Sequence, residues 1–265
     1  NWRDMWMQMD CRGALRMLGG EPRYPPPRRI HGTVDDGDAW LFEGDWRNPW
    51  LMGERLTREV KAALRHPSET NASDANALAS LEPWFAFIET KVLDPATGFP
   101  DAAGCSQPDV AMAGLFKILF AYLDAGRAYP HAEAAIDATL ALQESEGDFA
   151  RRDELAPPRG RNYVLRYARD MCINWDAVWT LRTLDRMRGG GHRHGDIVEA
   201  TGRLAECLLR DYRKPDGGFA FAADHCLMAH QGIWLSDARP EGDVVGTFMA
   251  LECLRYAEGA DQSPQ

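Results

Sequence analysis

Cys172-Ile173-Asn174-Trp175-Asp176-Ala177-Val178-Trp179 is the stretch whose reading decides the fold, because its aspartate recurs. Asp109, Asp176 and Asp243 stand 67 residues apart at each step, and each opens a similar apolar segment with helical spacing. The first two copies share a cysteine four residues upstream, in Cys105-Ser-Gln-Pro-Asp109 and Cys172-Ile-Asn-Trp-Asp176. Each copy then passes a polar break into a second helix that ends in a glycine-aromatic turn, Gly147-Asp148-Phe149 and Gly217-Gly218-Phe219. An internal repeat of helical hairpins follows, and stacking the hairpins would place the three aspartates at inner-helix N-termini on one rim.

Working outward, helical hairpins are expected at 109 to 125 with 131 to 145 and at 176 to 188 with 195 to 212. An inner-type helix at 243 to 257 has no partner after it. Upstream, an inner-type helix is expected from Asn48-Pro49-Trp50 to about Leu64. An outer one runs from Leu78 to Val92, and Asp94-Pro95-Ala96-Thr97-Gly98-Phe99 turns the chain back. Asp4 to Leu18 reads as a further helix, a diverged copy of the same unit, ended by Gly19-Gly20 and the prolines beyond. About four and a half hairpins result, and such amphipathic faces are best buried in one all-α domain, 1–265, an α/α toroid.

Composition narrows the function. The chain of 265 residues is 45% hydrophobic, enough for a large core. A net charge of −10 argues against nucleic acid as the main partner. The apolar run Val110 to Leu123 is broken by Gly114 and Lys117 and falls short of the ~20 residues a membrane span needs. Six cysteines in a chain of this size do not make a disulfide scaffold, so a reduced, cytoplasmic setting is expected. The chain starts at Asn1 rather than Met, so the natural N-terminus is expected to lie further upstream.

Leu140-Ala-Leu-Gln143-Glu-Ser-Glu-Gly147-Asp-Phe149 is similar to the Q-x3-G-x-W/F repeat of squalene cyclases and protein prenyltransferases, and Asp216-Gly217-Gly218-Phe219 resembles a variant of it. With Asp94 to Phe99 as a degenerate copy, the resemblance covers residues 84 to 257. It implies an α/α toroid whose cavity mouth is surrounded by inner-helix N-termini. The motif itself is structural: glutamine caps backbone groups, glycine takes positive φ and the aromatic packs between layers. It transfers no activity.

Clustered carboxylates at such a mouth suit acid/base work, since like charges raise one another's pKa. The candidate catalytic residues are therefore Asp176, Asp243 and Asp109, with His230 from the reactive segment Asp224-His225-Cys226-Leu-Met-Ala-His230. Trp175, Trp179, Trp234, His225 and Asn174 are expected to bind substrate. No cofactor is expected. The alternative is zinc through Asp224, Cys226 and His225 or His230, because Asp224-His-Cys226 resembles the prenyltransferase D-x-C; against it, Gly246 stands where the family's third ligand, a histidine, would be. The favoured function is a small-molecule enzyme of cyclase, isomerase or lyase type acting on an apolar or isoprenoid-like substrate. A carbohydrate-active α/α-toroid enzyme and a non-catalytic binding protein are the alternatives.

Overall fold

The computed structural model describes residues 39–65, 74–101, 104, 107–149, 169–230 and 233–259. The chain divides into two compact units, Asn1–Trp40 and Leu41–Gln265, and the architecture below is that of the second. The helix expected at 4 to 18 and Cys105 lie outside the described residues.

The described residues are all-α in character, with eight α-helices and one small β-hairpin. After the helical turn α1 (Ala39–Phe42) come α2 (Pro49–Arg65), α3 (Asp74–Phe87), α4 (Pro108–Asp124), α5 (Ala132–Leu140), α6 (Met171–Met187), α7 (His194–Cys207) and α8 (Val244–Ala257). Two-residue strands, β1 (Ala229–His230) and β2 (Ile233–Trp234), pair antiparallel between α7 and α8. The inner helices form a row in which α2 packs on α4, α4 on α6 and α6 on α8. The outer helices back this row, α5 against α6 and α7 against α8. Leu115, Ile118 and Leu119 of α4 and Val178, Leu181 and Leu184 of α6 are fully buried in the resulting core. Removing such side chains from water stabilises the fold by roughly 1.5–3 kcal/mol apiece.

Three equivalent turns carry the chain from the outer layer back to the inner one. In each, a backbone N–H closes on a carbonyl four or five residues later: Asp94 on Phe99, Glu144 on Asp148 and Lys214 on Gly218, all at 2.8 Å. Outer helices α3 and α7 also end alike, in a π-helical turn (Ile88–Val92 and Leu208–Tyr212) that places Val92 and Tyr212 in the core. At the central turn Gln143 Nε2 donates to the carbonyls of Gly147 and Ala200, each at 2.7 Å, so one amide ties the turn to α7. Gly147 sits at φ +104°, a conformation L side chains rarely adopt, and Phe149 is buried beneath it. The repeat motif therefore does the structural work expected of it. Helix α5 is shorter than the expected 131 to 145, because residues 141 onward already belong to this turn.

Candidate functional site

Asp176 is not at the start of its helix. Helix α6 begins at Met171, and its N-cap is Asp170, whose carboxylate accepts from Ile173 N–H at 2.9 Å. The physical cause is capping: an acid at 170 satisfies a first-turn donor, so the helix starts a turn and a half earlier than the repeat of aspartates suggests. Asp243 is the counterpart of Asp170, since it caps α8 by accepting from Gly246 N–H at 2.7 Å. Asp109 lies in the first turn of α4, after Pro108 and the N-cap Gln107. The three aspartates thus do not share one register.

The carboxylate of Asp243 is already committed. Its second oxygen accepts from Phe221 N–H at 2.7 Å and Leu227 N–H at 2.9 Å, which holds the loop before β1 against the head of α8. Three backbone donors on one carboxylate describe a structural clamp. Asn174, expected to bind substrate, has its amide engaged in the same way. Its Oδ1 accepts from Phe149 N–H at 2.7 Å, and its Nδ2 reaches the carbonyl of Asp170 and the hydroxyl of Tyr212. Fully buried, it joins the central turn to α6 and α7.

Among the described side chains of the reactive segment, Asp224 and His225 pair locally and Cys226 finds its partners elsewhere. Asp224 is 84% exposed and is paired with His225 Nδ1 at 2.6 Å. The buried Cys226 Sγ lies 3.2 Å from Ser236 Oγ and donates to the carbonyl of Asp237. A side chain at 246 would run into the backbone of Ala220 and Phe221, which is why glycine stands there. Among the described residues no group of three or more His, Cys, Asp and Glu is placed to hold a metal ion. His230 and Trp234 belong to β1 and β2, with side chains outside the described set.

What the structure does bring together lies on the face of the inner row turned away from the outer helices. Trp175 and Trp179 of α6 meet Phe116 and Phe120 of α4, with Phe120 stacked on Trp179 at 4.4 Å and Phe116 edge-on to Trp175 at 5.2 Å. Trp175 also reaches Phe248 of α8 at 6.3 Å. On the other side Lys117 Nζ sits 4.7 Å over the Trp50 ring of α2 and makes an ion pair with Glu54 at 3.0 Å. Trp50 and Phe248 stay 39% and 55% exposed, so the band is open to a ligand at both ends. Trp175 Nε1 is buried without a hydrogen-bond partner among the described residues, and the adjacent Asp176, 4% exposed, makes no hydrogen bond to a described residue.

Burial pushes the Asp176 carboxyl well above the usual carboxylate range; Lys117 pulls the other way, and Asp170 adds to the rise. The neighbouring Cys172 thiol is likewise driven up, by burial first and then by Asp170 and Asp176. Burial thus favours the protonated form of Asp176, a form that can donate a proton. Glu54, Lys117, Trp50 and Phe248 are the members that sequence reasoning missed. The one signal was Lys117, a lone charge inside an apolar helix. Against protein-family models, curated proteins and solved structures, nothing matches this chain. No helix among the described residues is long and apolar enough to cross a membrane.

Proposed function

We propose that the protein is a small-molecule enzyme in which Asp176 acts as general acid toward an apolar substrate lying on the Trp175–Trp179–Phe116 band. The observation that carries this reading is a buried carboxyl, pushed up by desolvation, that makes no hydrogen bond to a described residue and stands next in sequence to Trp175. A carboxyl buried at a cost in stability, with its pKa raised by its surroundings, marks a candidate site for a ligand or a proton transfer. The aromatic faces add the second requirement, because their negative quadrupoles stabilise positive charge that develops once a proton is delivered to an apolar substrate. Lys117 Nζ, 5.3 Å from the centroid of the Phe116 ring, is a cation already at the edge of this band and supports the reading. Cyclase, isomerase or lyase chemistry fits this pairing, and closure of the inner row into an α/α toroid would shield it from water. A glycan-cleaving reading asks for two carboxylates facing one bond, and the Asp243 carboxylate is occupied by three backbone amides.

The test is deuterium transfer. Wild-type protein incubated in D2O with an apolar metabolite extract should place deuterium on carbon in at least one compound, detected by mass spectrometry, and Asp176→Asn should not. Identical labelling by both proteins, with the variant folded, would contradict the proposal.

A further inference from the structure

The inner face changes character along its length. On α6, Trp175, Trp179, Arg182 and Arg186 recur at steps of four, three and four residues, so all four side chains lie on one stripe of the helix. The corresponding stripe of α8 runs Val244, Phe248, Leu251, Arg255. Both stripes therefore pass from aromatic or apolar groups at the N-terminal end to guanidinium groups at the other. Arg186 reaches α8: burial and Glu252 raise the Tyr256 phenol, and Arg255 and Arg186 act against them. Cations in a last helical turn complement the helix dipole, which accounts for Arg186 and Arg255. It does not account for Arg182, which sits mid-helix, half-buried, and forms no hydrogen bond or ion pair with a described residue.

We propose that the ligand of this face is an anionic amphiphile, a single apolar chain lying on the aromatic band with its carboxylate or phosphate head at Arg182 and Arg186. The inference rests on the reading that the band holds the substrate, and it fixes the ligand's direction and length. At ~1.5 Å per residue, Asp176 stands about 9 Å along the helix from Arg182 and about 15 Å from Arg186. The bond that receives a proton from Asp176 is thus a medium-length chain away from the head, not adjacent to it. Guanidinium suits this head because its planar fork pairs with both oxygens of a carboxylate or phosphate. A chain with net charge −10 repels anions at long range, so a preference for an anion has to come from these local groups.

The experiment compares four probes with similar apolar chains, decanoate, decyl phosphate, decanol and decylamine, by isothermal calorimetry and quenching of tryptophan fluorescence. Decanoate or decyl phosphate should bind more tightly than decanol, and decylamine least; the tighter of the two anions identifies the head group. The double variant Arg182→Gln, Arg186→Gln should weaken the anions about tenfold or more, the loss of a charge-assisted pair, and leave decanol unchanged. Trp179→Ala should weaken all four. Anions binding no better than decanol, or anion binding indifferent to the double variant, would overturn the proposal. Asp176→Asn should leave decanoate binding intact, so failure of the proton-donor reading and failure of this one are told apart.

Discussion

Asp170 and Asp243 on one side, and Asp176 on the other, are aspartates of the same inner helices with opposite circumstances. The first two sit at helix caps, Asp170 accepting from the backbone amide of Ile173 and Asp243 from three backbone amides. Asp176 lies further along α6, buried, with no hydrogen bond to a described residue. The contrast separates structure from function better than spacing does. A satisfied carboxylate holds the fold together, whereas a buried unsatisfied one costs stability and calls for another reason to be kept.

The comparison breaks most visibly if both sites respond alike. Asp176→Asn should lower turnover by roughly 10²–10⁴ once a substrate is in hand, the loss of a general acid, while the melting temperature does not fall. Asp243→Ala should do the reverse. Removing a cap and leaving Phe221 and Leu227 N–H without an acceptor should cost about 3 kcal/mol, read as a lower midpoint in urea. Equal stability losses in the two variants would erase the distinction.

A smaller effect sharpens it. Because folding raises the Asp176 pKa, the site's stability is fully present below the unfolded aspartate value of about 3.9 and drains away as pH rises through the folded value. Asp176→Asn carries no such term. The variant should therefore match wild type near pH 4 and exceed it by a growing margin as the pH rises toward neutral, checked by urea unfolding across that range. Smallest of all is Asp109→Asn, a change in the first turn of α4 that removes a dipole-complementing charge and should cost no more than about 1 kcal/mol.

Much of the helical layout was legible. Proline and glycine punctuation and apolar spacing placed α2, α4, α6, α7 and α8 within a few residues, because those signals act locally. Gln143, Gly147 and Phe149 were readable for the same reason, as a turn needs its own residues. The register of Asp176 was not. Two acids near one helix start compete to be the cap, and which of them meets Ile173 N–H depends on where the preceding loop delivers the chain. The Glu54–Lys117 pair was also invisible, since it joins two helices whose approach no local pattern encodes. Strands β1 and β2, two residues each, are too short to leave an alternating pattern.

The central claim is that burial keeps the Asp176 carboxyl protonated well above the pH at which an ordinary aspartate ionises. Its most direct test is a carbon-13 NMR titration of aspartate-labelled protein, with the Asp176 carboxyl resonance assigned by its loss in Asp176→Asn. The account predicts a resonance that keeps the protonated chemical shift well above pH 4. A resonance that titrates near pH 4, as an ordinary aspartate does, would contradict it.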